Sequence, residues 1–172
     1  DRAVRVLGID PGLPRCGLGA VEVDDSRRAT LVGVEVARTS PSLATHFRLR
    51  DIADAIAAAI GKYQPEVVAI ERVFTQDNLQ SVTPTTQVMG AAMVEVGRAG
   101  LAMAVYTPSE VKGAVTGSGR AGKAQVQHMV ARILSLSAPP QPADAADALA
   151  VGITHFQNTE AGAALGLEGR RV

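Results

Sequence analysis

The spacing of apolar positions divides this chain into short strands followed by longer helices. Val4 to Asp10, then residues 16 to 23 and 30 to 37, are β-branched or apolar runs separated by Pro11-Gly12, Pro14 and the polar stretch Asp24 to Arg28. Connections this short predict an antiparallel meander of three strands, because a parallel crossover needs a dozen or more residues. Ser42 then offers a helix cap, and Leu43, Phe47, Ile52, Ile56 and Ile60 recur near a 3.6-residue period until Gly61 and Pro65 close the helix. Val67 to Ile70 is a buried strand ending at Glu71, parallel to the first because a long helix intervenes.

Beyond it, the pattern becomes helical only after Pro84, with Thr83 as its cap, and runs to Arg98. Leu101 to Tyr106 is a fifth strand, Pro108-Ser109-Glu110 opens a brief helix, and the glycines from Gly113 to Gly122 predict a flexible loop. Helices follow over about 123–136 and 143–157, divided by Pro139, Pro140 and Pro142. After Asn158 the periodicity ends, so residues 1–157 read as one domain and 158–172 as a mobile tail.

Composition narrows the class. A chain of 172 residues, 47% hydrophobic, suits one α/β domain with a substantial core. No apolar run is long enough to span a bilayer, and the first residues lack a basic-then-apolar leader pattern, so a cytoplasmic location with no membrane partner is expected. The single cysteine, Cys16, reads as a small core residue and rules out an internal disulfide framework. Seventeen basic and seventeen acidic residues cancel, yet Lys112, Arg120, Lys123 and Arg132 occur with no acid between them. A neutral chain thus carries a locally basic segment.

The candidate chemistry lies in carboxylates. Asp10 and Glu71 end two apolar strands, and Asp144 and Asp147, three apart, share one helix face. Each has a bland alternative: an Asx turn for Asp10, a pairing with Arg72 for Glu71, helix capping for the aspartate pair. Together they would form an acidic cluster whose repulsion is costly without a cation, and hard divalent ions such as Mg²⁺ take oxygen ligands of this kind. His128 and His155 read as helix-face residues. Gly117 to Lys123 (GSGRAGK) has P-loop spacing, but Ala124 replaces the hydroxyl that should meet Mg²⁺ and no buried strand precedes it.

Four ordered motifs, GIDPG at 8–12, AIERVF at 69–74, GKAQVQHMV at 122–130 and ADAADALA at 143–150, resemble the RuvC family of bacterial Holliday junction resolvases over about residues 3–157. The resemblance implies a ribonuclease-H-like fold: a five-stranded mixed sheet, antiparallel meander plus parallel strands, flanked by helices. It implies that Asp10, Glu71, Asp144 and Asp147 are catalytic carboxylates holding Mg²⁺, two ions per site, with Mn²⁺ as a substitute. It further implies a homodimer that cuts four-way junction DNA symmetrically, leaving 5′-phosphate and 3′-hydroxyl ends, and a branch-migration complex as partner. Lys112 and Lys123 match the family's DNA-contacting lysines, Arg120 is a further candidate, and Phe74 matches an aromatic that stacks on bases beside the site. Residues 79–89 depart from the family pattern, with Met89 at a usual arginine and Pro84 inside the segment. Two other functions compete: a phosphate-binding or kinase-like module, which would need a second domain, and a junction binder without cleavage, which four acids disfavour.

Overall fold

The computed structural model describes residues 2–72 and 79–164, with side chains described except at 79–82 and 159–164. In chain order the elements are β1 (Val4–Asp10), β2 (Arg15–Val23), β3 (Ala29–Arg38), α1 (Thr45–Tyr63), β4 (Val67–Glu71), α2 (Leu79–Ala99), β5 (Ala102–Tyr106), α3 (Pro108–Thr116), α4 (Lys123–Ile133) and α5 (Ala143–Ala164). The five strands form one mixed sheet in the order β3-β2-β1-β4-β5. β1 pairs antiparallel with β2 and parallel with β4, and β4 pairs parallel with β5.

Alternation along the strands creates two cores. Leu7, Ile9, Leu18, Val68 and Ile70 face α1 and α2, where they meet Ile52, Ile56 and Val88. Val6, Val21, Val67, Ala69 and Ala104 face the other way, against Val111, Val126, Val130 and Leu149. Each large side chain buried this way contributes about 1.5–3 kcal/mol by leaving water. No helix among the described residues is long and apolar enough to cross a membrane.

α5 lies directly on β1 and β2 because those strands present glycines to it. A Cβ on Gly8 would overlap the carbonyl oxygen of Ala148, and one on Gly17 would overlap that of Asp144. Backbone therefore meets backbone. Gly17→Ala is expected to push the first turn of α5 outward and cost about 1–3 kcal/mol, the usual scale for overpacking. Gly61→Ala, whose Cβ would meet nothing within 4 Å, is the neutral or stabilising control in the same urea titration.

Several boundaries differ from the sequence expectation. α1 starts at Thr45 after Ala44, which makes no side-chain cap. Ser42 is engaged in a turn, where its hydroxyl and amide both contact the Ser40 hydroxyl. Gly61 does not stop α1; the helix closes at Gln64, in the left-handed region, whose N–H donates to Ile60 O. α2 starts at Leu79, so Thr83 and Pro84 lie inside it. A proline this close to the N-terminus forfeits only the bond to residue 80, since the first four N–H groups of a helix are unpaired anyway. α3 continues through Gly113 to Thr116 and ends at Gly117, with φ 84°. Its start is well held: Pro108 occupies the first turn and the Thr107 side chain accepts from the Glu110 N–H. α5 continues past Gln157 to Ala164, so the expected tail begins as helix. Alanine-rich, proline-free sequence there favours continuation.

Candidate active site

The sheet register sets the first two carboxylates side by side. Ile9 pairs with Ile70 in the parallel β1–β4 ladder, so the next step brings Asp10 beside Glu71, both on the α5 face. Pro11-Gly12 ends regular structure immediately after Asp10, which also pairs across to Gly17. The close approach of α5 at Gly17 then delivers its first turns to the same place. One carboxylate oxygen from each of Asp10, Asp144 and Asp147 lies within 4.8 Å of the others. Glu71 lines the same cleft, of about 370 Å³, with Asp10, Asp147, Lys112 and Lys123.

Electrostatics show how crowded these acids are. Burial pushes the Asp10 carboxyl up to about 8, with Glu71, Asp147 and Asp144 adding repulsion and Lys123 partly offsetting it. Burial also pushes Glu71 up to about 7, reinforced by Asp147 and opposed by Lys112 and Lys123. Asp147 is raised by burial too, against the pull of Lys123. Two cations already lean on the cluster: Lys123 Nζ is 3.4 Å from Asp147 Oδ2 and Arg15 Nε is 3.4 Å from Asp144 Oδ2. An all-oxygen donor set with an unneutralised excess of acids fits a hard divalent cation, which takes carboxylate ligands and relieves their repulsion.

The remaining candidates sort by position. Lys112 on α3 and Lys123 at the start of α4 line the cleft. Arg120 is exposed in the loop between those helices and is not among the lining residues. Phe74 lies outside the described residues. His128 is exposed, and His155 Nδ1 is 2.7 Å from the Tyr106 hydroxyl, in surroundings whose burial lowers its basicity. Cys16 is fully buried, its thiol pushed up to about 12 chiefly by burial, as suits a core residue. The segment Gly117 to Lys123 follows a helix rather than a strand, which removes the P-loop context. Sequence reasoning missed Arg15. Its place directly after the Pro11-to-Pro14 turn, at the start of the strand paired with β1, was the available signal.

The family of crossover junction endodeoxyribonuclease RuvC matches residues 6–155, nearly the whole described domain. The chain belongs to the RuvC family. A RuvC crossover junction endodeoxyribonuclease of Leifsonia xyli subsp. xyli (strain CTCB07) is 55% identical over 152 residues, 88% of this chain and 73% of its own. Among solved structures, Thermus thermophilus RuvC in complex with Holliday junction substrate superposes with a TM-score of 0.88 at 34% identity, covering 98% of this chain and 99% of that one. The yeast mitochondrial Holliday junction resolvase Ydc2, at 13% identity and a TM-score of 0.62, shares the fold. The RuvC-family chain thus has the ribonuclease-H-like sheet and helices that its motifs led us to expect.

Proposed function

We propose that this chain is a homodimeric, Mg²⁺-dependent endonuclease of the cytoplasm that resolves four-way DNA junctions by paired, symmetric cuts. The observation that carries this is the cleft itself: three aspartates within 4.8 Å of one another, Glu71 beside them, and two lysines on the same wall. Asp10, Glu71, Asp144 and Asp147 would hold two Mg²⁺ ions, or Mn²⁺ in their place. Bound there, such ions neutralise phosphate charge and acidify the attacking water.

The chain's own groups do the rest. Lys112 and Lys123 draw a backbone phosphate to the acids, and Lys123 exchanges its contact with Asp147 for the phosphate. Asp10 is held by its pairing with Gly17 and by the β1–β4 ladder that runs up to Ile9, so the acids keep their places when the substrate arrives. Water attacks phosphorus in line, the bond to the 3′ oxygen breaks, and that oxygen takes a proton. The ends are then 5′-phosphate and 3′-hydroxyl. Phe74 keeps the base-stacking role that the family resemblance assigns it, and Arg120 a peripheral contact with DNA.

Two copies related by a two-fold axis suit a substrate with the same approximate symmetry. Exposed Met93 and Val94 on α2 supply apolar surface for such a contact. Nucleoid association while on DNA and a branch-migration complex as partner accompany this reading through the family association.

The test is a synthetic four-way junction beside a plain duplex of matching sequence, with Mg²⁺, Mn²⁺ or chelator. Paired nicks at symmetric positions of the junction, in either metal but not in chelator, are expected. Junction binding without cuts under all conditions would instead identify a binding module, and equal cutting of the duplex would remove junction selectivity.

A further inference from the structure

Resting on the nuclease reading above, we propose that Arg15 and Arg38 form a second phosphate-binding wall, opposite Lys112 and Lys123, so that the cut strand crosses the carboxyl ends of the sheet with the acids between two pairs of cations. The sheet register supplies the first observation. Arg15 at the start of β2 and Arg38 at the end of β3 are direct cross-strand partners. They project on the same face as Gly17 and Val36, the face that carries Asp10 and α5. Like charges directly opposite one another in a sheet are unfavourable, yet both side chains are exposed at the rim.

The second observation is how differently they are partnered. Arg15 leans on Asp144, whereas the Arg38 side chain makes no ion pair or hydrogen bond with any described residue. Their backbones are nonetheless held firmly. The Thr39 N–H donates to Pro14 O at 3.1 Å, continuing the ladder one step beyond the pair. Arg48 Nε in turn donates to Thr39 Oγ1 at 2.9 Å. Two guanidinium groups carried on neighbouring, firmly paired backbone at an open edge can offer phosphate oxygens the forked donor geometry that binds them.

Position makes the ligand a neighbouring phosphate of the same substrate. β3 is two strands from β1, and Val36 rather than Arg38 lies in line with Asp10 through Gly17. This places Arg38 roughly 10 Å to the side of Asp10 and about 7 Å further along, given strands about 4.8 Å apart and about 3.4 Å per residue. Lys112 and Lys123 stand on the other side, on α3 and α4. Arg15, already touching an acid of the cluster, is the bridge between that cluster and the outer contact at Arg38.

The test measures four-way junction affinity against salt concentration for the full chain carrying Asp10→Asn, which prevents cutting, with Arg38→Ala, Arg15→Ala or both added. Each replacement should weaken binding about 3- to 10-fold near 0.1 M salt and reduce the slope of log affinity against log salt by roughly 0.9, the two together by about twice that. Arg38→Lys should restore the slope. Weaker binding with an unchanged slope would overturn the proposal, because it marks a structural effect. Unchanged affinity in the double replacement, while Lys112→Ala still weakens binding, would overturn it and leave the nuclease reading standing. Absence of junction binding by the Asp10→Asn parent would overturn both.

Discussion

Asp10→Asn is expected to reduce junction cleavage by about 10³-fold or more while junction binding persists or tightens. Asp10 is the acid at the centre: it borders Glu71 through the β1–β4 register and stands within 4.8 Å of both Asp144 and Asp147 through α5. Replacing a carboxylate oxygen with an amide leaves the shape of the site intact but would weaken the hold on the proposed cations, which would contribute several kcal/mol to the transition state, and about 1.4 kcal/mol is a factor of ten. DNA binding persists, and it tightens where the parental Asp10 would be ionised, above about pH 8 in metal-free buffer, because the amide carries no negative charge toward phosphate. Single-turnover cleavage and gel-shift binding on the same junction separate the effects. Cleavage by Asp10→Asn at near the parental rate would sink the assignment of Asp10 as a metal ligand.

A second large effect is expected in the thermal stability of the metal-free protein. With the Asp10 carboxyl at about 8 and Glu71 at about 7, against 3.8 and 4.5 without the fold, the folded chain keeps protons that the unfolded chain has released. Stability from this source is therefore complete below about pH 4 and is lost as pH rises through about 8. The Asp10 shift alone corresponds to about 5 kcal/mol, so a loss on the order of 10 °C or more in melting temperature is expected for a chain of this size. Asp10→Asn should flatten the profile and raise the melting temperature at pH 8. Mg²⁺ should raise that of the parent far more at pH 8 than at pH 5, since it binds the ionised acids. A metal-free melting temperature that stays constant from pH 5 to pH 8.5 would show that the acids are not crowded as described.

The strand and helix pattern was readable where turns and apolar runs coincide. Pro11-Gly12 shows where β1 stops, and the apolar run ahead of Glu71 marks a buried strand. The D-x-x-D pair on α5 announces a shared helix face. Their convergence was a different matter, because it depends on the parallel β1–β4 register and on glycines that admit α5 to the sheet, neither of which local pattern specifies. That two strand ends and a helix packed on the same sheet would gather the acids was expected from spacing; the family resemblance supplied their roles. Helix ends at Pro84 and Gly113 were misplaced because local propensity there yields to position: a proline in the second turn costs one hydrogen bond, and a glycine in α3 is carried by a helix already well capped. The Arg15–Arg38 pairing was hidden by a register shift between Ala20 and Val21. Continued back from Val23 opposite Ala29 without that bulge, the ladder would set Arg15 opposite Ala37, whose side chain lies on the other face.

The glycine contacts under α5 make the two faces of the sheet unequal as places for change. Where Gly8 and Gly17 let main chain rest on main chain, the distance from Asp10 to Asp144 and Asp147 is a property of the backbone, insensitive to which rotamers the surrounding side chains adopt. The α1–α2 face sets no such distance. Its contacts are side chain against side chain, through Leu7, Ile9, Leu18, Ile52 and Ile56, and volume-conserving exchanges there should be absorbed locally. Anyone seeking a hardier version of this enzyme has a natural division of labour: redesign the α1–α2 side freely, and leave the few atoms between β1, β2 and α5 alone.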